Sequence, residues 1–365
     1  MKKILIALLF CCSVLMVQAK PILSFFNELE GPELKTFFSD TSIIPTLQKL
    51  HAEIRMGMID LSPERAQVLK DLNKAGVPVV AWLLLPKSEG YWFNAMNGDL
   101  AIARYHQIKK WADSFGIHFK GIGLDLELDY RDAQLIKSDP WKLASKIPAR
   151  LYQTWVIDSG RATYHKLLND IKKDGYPAES YIIGFVKDET QNGTTSIQQA
   201  SRFLDIPMDK EIQMLYTSFM GNPDGFLKIY GLDKKAKYIA LGSTGGGVDT
   251  TLPSLSYENL IHDIRMVSPI ADEIHIFSLE GTVHHGYLKR LLNLDYSVPI
   301  PIREDQVEAV KKIQSRVIMV SNILAHPTLL FLGILSSLFF LFWLLYLVVR
   351  FIFRILSRSQ NSRNS

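Results

Sequence analysis

The period of the apolar positions changes back and forth along the chain. Between Pro21 and about Asp295, short runs rich in β-branched and aromatic residues alternate with longer amphipathic stretches. The short runs predict strands at Ile22 to Asn27, Glu53 to Asp60, Val77 to Leu85, Gly121 to Asp129, Tyr181 to Val186, Ile212 to Phe219, Tyr238 to Ser243 and Glu273 to Leu279. Helices are expected between them. Pro63 to Ala75 opens at Ser62-Pro63 and stops at Gly76; Leu100 to Phe115 stops at Gly116; Ala162 to Asp174 stops at Gly175; Ser256 to Val267 is the last. Eight such units in roughly 275 residues predict an α/β fold of the (β/α)8 TIM barrel class. An open doubly wound sheet is the competing fold, but no glycine-rich dinucleotide turn follows the first strand.

The two ends break this pattern. Lys2-Lys3, the apolar run Ile4 to Val17 and Gln18-Ala19 have the three parts of a secretory signal peptide, residues 1–19. At the other end, Thr328 to Val349 carries no charge, with Trp343 and Tyr346 near its exit and a basic tail, residues 350–365, beyond it. That length suits a transmembrane helix. The tail arginines Arg350, Arg354 and Arg358 favour a cytoplasmic C-terminus, and an export signal independently places the barrel, residues 20–302, outside the cytoplasm. In residues 303–327, Val307, Val310, Ile313, Val317 and Val320 recur at helical spacing, so a juxtamembrane helix or stalk is expected.

Charge and cysteine usage narrow the function. Six of the 41 bases and none of the 37 acids lie before Lys20 or after Pro327, which leaves 35 bases against 37 acids between. No basic patch for nucleic acid is implied. The two cysteines, Cys11 and Cys12, both sit in the signal-like segment, which excludes a disulfide framework or a cysteine-ligated zinc elsewhere.

In a barrel of this kind, ligands meet the C-terminal ends of the strands. The fourth predicted strand alternates strictly: Ile122, Leu124, Leu126 and Leu128 suit the outer helices, which turns Gly121, Gly123, Asp125, Glu127 and Asp129 inward. Three carboxylates would then project together. Crowded like charges raise at least one pKa, leaving an acid able to donate a proton to a leaving oxygen, as glycoside hydrolysis requires. Other carboxylates compete for the second role: Glu280 and Asp60 end strands eight and two, and Glu28 and Glu30 follow strand one. If Phe277 points inward, period-two parity turns Glu280 away unless a bulge intervenes, which ranks it below Asp125, and each of these acids taken singly suits a salt-bridged rim position. The stretch from Tyr130 to about Gly160, with Trp141, Tyr152 and Trp155, is expected to be a long loop, either walling a groove or packing on the rim. Trp82, Tyr91 and Trp92 could stack on sugar faces or pack the rim.

Phe119-Lys-Gly-Ile-Gly-Leu-Asp-Leu-Glu127 resembles the fourth-strand signature of glycoside hydrolase family 18, the chitinase-like barrels, whose pattern is Asp-x-x-Asp-x-Asp-x-Glu. The resemblance implies that Glu127 is the catalytic acid and that Asp125 orients the substrate's acetamido group. Met214-Leu-Tyr216 is similar to the family's Met-x-Tyr, which would have Tyr216 hold the acetamido oxygen. Phe277-Ser-Leu-Glu280 is similar to its Trp-Ser-Leu-Asp, with Phe277 in place of the tryptophan that floors the sugar site. Lys120 and Gly123 replace the signature's first two aspartates, Thr217 replaces the aspartate after the tyrosine, and the third-strand Ser-x-Gly-Gly is absent from Val77 to Pro86. The chain thus reads as a divergent relative.

The resulting expectation is a membrane-anchored, extracytoplasmic glycoside hydrolase acting on a polysaccharide or glycoconjugate. Glu127, Asp125 and Tyr216 would be catalytic; Asp129, Phe277, Trp82 and Met214 would bind substrate; no cofactor or metal is required. Two other classes remain open. One is a non-catalytic glycan-binding barrel. The other is a metal-dependent phosphodiesterase, using Asp125, Glu127 and Asp129 with the glycine-rich run Gly242 to Gly247. His284-His285 lacks the usual helical ligand spacing and reads as surface loop, and Asn192-Gly-Thr194 is a glycosylation sequon.

Overall fold

In the computed structural model, which describes residues 20–247 and 253–361, eight parallel strands close into a barrel in chain order. They are β1 (Ile22–Asn27), β2 (Glu53–Met58), β3 (Val79–Leu83), β4 (Gly121–Asp125), β5 (Ala178–Ile183), β6 (Lys210–Leu215), β7 (Tyr238–Gly242) and β8 (Glu273–Phe277). The chain is thus a TIM barrel, with one apolar C-terminal helix following it. The signal-like residues 1–19 and Arg363 lie outside the described residues.

Local chemistry sets the outer helices. The helix Pro63–Lys74 begins where Ser62 accepts a hydrogen bond from the Arg65 N–H and Pro63 presets the first turn. Gly116 ends the helix Gly98–Phe115 at φ +66°, a conformation that glycine adopts without steric cost. Outward strand residues such as Ile54, Leu83, Leu124 and Ile274 pack under these helices in the main core.

Two expectations fail here for identifiable reasons. The strand predicted at Tyr181 to Val186 starts earlier, at Ala178, and yields to a helix at Gly184, where a Cβ would meet the Tyr230 ring at 2.5 Å. The predicted loop after β4 is instead three helices: α1 (Tyr130–Ser138), α2 (Pro140–Tyr152) and α3 (Thr154–Lys173). Asp129 caps α1 through the Arg131 N–H, and Asp139 caps α2 through the Lys142 N–H with Pro140 in its first turn. Trp141, Tyr152 and Trp155 neither wall the cavity nor pack the rim, being 84%, 54% and 62% exposed.

The inside of the barrel is charged near its N-terminal end and aromatic above. Arg55 is wholly buried and donates to Glu179 through Nε and Nη2, both at 2.9 Å, to Glu273 at 3.0 Å and to Glu53 at 2.9 Å. Lys120 pairs with Glu53, and Lys210 with Glu273, so three bases answer three acids. Above this cluster, Phe26 meets Trp82 and Tyr181 edge-on, with ring centres 5.2 and 4.9 Å apart.

Beyond the barrel, helix α4 (Glu304–Leu324) lies against its side rather than standing free as a stalk. Near its start the Gln306 side chain accepts from the Asp224 N–H at 2.9 Å. Near its end Ser321 donates to the buried Glu189 at 2.9 Å and accepts at its carbonyl from Ser196 at 2.7 Å. The sequon's Asn192 amide donates to Asn322 of the same helix at 2.8 Å, so a glycan there would have to displace α4. Helix α5 (Pro327–Asn361) follows after a short break. Its stretch Pro327–Phe353 is long and apolar enough to cross a membrane, with a mean hydropathy of 2.4 over its most apolar window, none of it buried.

Candidate active site

Asp125 is the last residue of β4 and is 3% exposed; Glu127 follows it at the mouth and is partly open. The strand proper stops at Asp125, yet the alternation carries on to Glu127. The segment after β3 supplies the reason: Phe93 donates its N–H to the Asp125 carbonyl at 2.8 Å and accepts from the Glu127 N–H at 2.9 Å. This extra rung holds Glu127 on the same face as Asp125.

Asp129 does not join them. The chain turns there to cap α1, and the carboxylate is held by Arg131, whose Nε and Nη2 donate at 2.8 and 2.6 Å. Partial burial pushes its pKa up, but these hydrogen bonds outweigh that and hold it below the usual carboxylate value. The expectation of three carboxylates projecting together is therefore corrected to two from β4, and the assignment of Asp129 to substrate binding loses its geometric basis.

The third acid at the site comes from elsewhere. Glu28, just past β1, lines the same cavity as Asp125 and Glu127. Tyr91 donates a hydrogen bond to it, from a backbone held at φ +61°, in the left-handed region that side chains other than glycine seldom occupy. Parity could have found Glu28: it continues the inward series Ser24, Phe26 of β1 by one more step of two.

The cavity of 230 Å³ is otherwise aromatic and sulfur-lined. Trp82, Trp92, Tyr216, Phe277, Met214 and Phe219 surround the acids. Tyr216 tilts against Phe277 at 5.7 Å, and Trp82 meets Phe277 edge-on at 6.4 Å. Of the seven residues singled out from sequence, Glu127, Asp125, Tyr216, Phe277, Trp82 and Met214 meet at this one cavity, and only Asp129 is elsewhere.

Among the described residues, no Lys or Arg lines the cavity, and this decides the electrostatics. Burial raises Asp125 well above the ordinary aspartate value, and the charges of Glu127 and Glu28 push it further in the same direction. Burial also pushes Glu127 up, to about 7, although the hydrogen bond it shares with Asp125 works the other way. Near neutral pH the pair therefore keeps a proton. The Tyr216 hydroxyl, raised by burial and by the nearby acids, stays protonated and able to donate.

Glu280 is the second correction. Because β8 ends at Phe277 and a helix begins at Leu279, strand parity no longer applies at Glu280. Its carboxylate turns inward and accepts from the Asn27 side chain at 2.9 Å and the Glu28 N–H at 3.1 Å. Burial pushes it to about 8 despite those bonds. Asp60, by contrast, is a rim acid held by Arg65 at 2.7 Å.

The glycine-rich run does not present a free anion cradle over the described residues. The Thr244 N–H donates to the Phe277 carbonyl at 2.7 Å and the Gly245 N–H to the Ser243 hydroxyl at 3.0 Å. A Cβ on Gly246 would lie 2.7 Å from Glu280, and one on Gly247 2.8 Å from Glu28. A phosphate there would face carboxylates.

No family model matches the chain, and no curated protein matches it. Solved structures with a similar fold include the glycoside hydrolase domain of PgaB (BpsB) from Bordetella bronchiseptica, at 11% identity and TM-score 0.45, covering 75% of this chain and 98% of that one. They also include a GH18 chitinase from Pseudoalteromonas aurantia, at 9% and 0.43, covering 74% and 98%. A third is the 3-keto-D-glucoside 4-epimerase YcjR from E. coli, at 10% and 0.42, covering 75% and 99%. Likenesses this distant concern the barrel alone.

Proposed function

We propose that the protein is a glycoside hydrolase, anchored through α5 with its barrel outside the cytoplasm, acting on a polysaccharide or glycoconjugate near the membrane. The observation that carries the catalytic reading is the Asp125–Glu127 pair, which holds a proton near neutral pH in an aromatic cavity lined by no cation. A glycosidic oxygen leaves as an alkoxide unless an acid protonates it, and a carboxyl raised to about 7 is still about half protonated at neutral pH. Glu127, the more open of the two, is that acid. Asp125 beneath it shares the proton and, once ionised, opposes the positive charge that grows on the sugar ring. Tyr216 donates its hydroxyl to the reacting sugar, while Trp82, Phe277 and Met214 pack against its apolar faces.

The phosphodiesterase reading loses support, because Asp129 is turned to Arg131 and cannot complete a ligand set with the pair. A glycan-binding barrel without turnover would have no use for a retained proton. The deciding experiment incubates the purified chain and its Glu127→Gln variant with a panel of β- and α-linked glycans, with and without EDTA. Turnover by wild type alone, indifferent to chelator, is expected. Equal turnover by both proteins would remove Glu127 from the mechanism, and tight binding without cleavage by wild type would favour the binding reading.

A further inference from the structure

Helix α2 is amphipathic in an unusual sense. Its inner side, with Leu143, Ile147 and Leu151, packs toward the barrel, as expected for an outer helix. Trp141 and Tyr152 stand on the other side. They are 11 residues apart, three helical turns, so both lie on one stripe of the surface. That stripe has no charged residue along its centre, and Trp155, at the head of α3, is also exposed. Large aromatics held in water cost free energy without return unless something apolar meets them.

Two features say what meets them. Helix α5 touches α2, so the span Pro327–Phe353 leaves the soluble body next to the helix that carries this stripe. The break between α4 and α5, at Ala325-His326, is fixed to the same side of the barrel by the bonds from Ser321 to Glu189 and Ser196. Lys142, next to Trp141, is exposed, whereas Arg131 is paired with Asp129, and Lys146 and Arg150 with Asp132. Tryptophan and tyrosine flanked by lysine is the composition that settles at the headgroup level of a bilayer, where the ring is half desolvated and the cations meet lipid phosphate.

We propose that the α2 face bearing Trp141 and Tyr152, with Trp155, lies in the headgroup zone of the bilayer that α5 enters. This docks the barrel on the membrane through its β4–β5 insert. The inference rests on the reading of α5 as a membrane span, and it adds an orientation. The β4 end of the mouth, where Asp125 and Glu127 sit, is held next to the lipid surface instead of swinging freely above it.

The test uses the full chain in vesicles of phosphatidylcholine and phosphatidylglycerol, with Cys11→Ala and Cys12→Ala removing the native thiols. Single variants Trp141→Cys, Trp155→Cys, Phe339→Cys and Glu258→Cys are labelled with an environment-sensitive fluorophore. The Glu258 side chain is 73% exposed in the β7–β8 connection and serves as the aqueous reference. Labels at 141 and 155 should shift to the blue and lose intensity with lipids carrying a shallow nitroxide, the label at 339 with a deep nitroxide, and the label at 258 with neither. Quenching at 339 with none at 141 and 155 overturns the docking and leaves the anchor standing. Absence of quenching at 339 overturns both. Labels at 141 and 155 that ignore lipid but respond to soluble glycan would instead make this stripe a sugar-binding surface.

Discussion

The Tyr181 hydroxyl stands where a side chain at position 123 would begin: a Cβ on Gly123 would lie 2.1 Å from Tyr181 Oη. Tyr181 in turn donates to Glu179 at 2.8 Å, so the ring is tied to the buried Arg55 cluster and cannot swing away cheaply. This accounts physically for the glycine where the chitinase-like signature has an aspartate. Gly123→Ala should therefore destabilise the barrel by about 1–3 kcal/mol, the usual cost of overpacking a filled core. Urea unfolding measures it; an unchanged midpoint would mean that Tyr181 moves freely.

Arg55 holds three carboxylates at the closed end of the barrel. Replacing it by methionine nearly keeps the volume but strands Glu179 in a buried site, while Glu53 keeps Lys120 and Glu273 keeps Lys210, and removing one partner from such a cluster costs about 3–5 kcal/mol. Arg55→Met should lower the thermal midpoint far more than Lys109→Met, whose ion pair with Asp113 is solvent-exposed. Equal shifts for the two variants would contradict the assigned role.

Glu28 adds negative charge beside the Asp125–Glu127 pair and contributes to the raised pKa of Asp125. An acid that must be protonated loses activity as pH rises through its pKa. Glu28→Gln removes a repulsion that keeps the proton on, so the alkaline limb of the pH-rate profile should move to lower pH. An unmoved limb would show that Glu28 does not communicate with the pair. Glu127→Gln should cut turnover by roughly 10²–10⁴, with the substrate Kd little changed.

Glu127 and Glu280 have folded pKa values raised to about 7 and about 8 by burial. Groups of this sign add stability that is complete at low pH, below their unfolded values, and is lost as pH rises through the folded ones. Thermal stability should therefore decline between about pH 5 and pH 8, in a window where Asp60, held low by Arg65, is already ionised and contributes no slope. Glu280→Gln should flatten the decline. Melting curves across that range check it, and an equally steep curve in the variant would exclude Glu280 as a source.

The barrel and most of its site were legible because they rest on period. Alternation in β4 placed Asp125 and Glu127 inside, and the same step of two could have added Glu28. Errors came where a period ends. Asp129 and Glu280 both sit one or two residues beyond a strand, at a helix start, where capping and not pleat decides which way a side chain faces. The aromatic-rich stretch after β4 was misjudged for a related reason: its helices are announced by Asp129 and by Asp139-Pro140, while its tryptophans face outward and so hide the inward period of Leu143, Ile147 and Leu151. Tyr91 stood out in the sequence only as an aromatic, since its bond to Glu28 depends on a turn that brings two distant segments together.

The closed end of the barrel also governs traffic. With Phe26, Trp82 and Tyr181 forming a floor and the Arg55 cluster buried below it, the described residues leave no passage along the axis. Whatever reaches Asp125 must come and go by one doorway, because among the described residues the Arg55 cluster fills the barrel beneath the floor. A spent molecule lingering at the doorway would shut out both the next arrival and the water needed to recharge the carboxyl pair, so departure and reloading are forced to happen in turn.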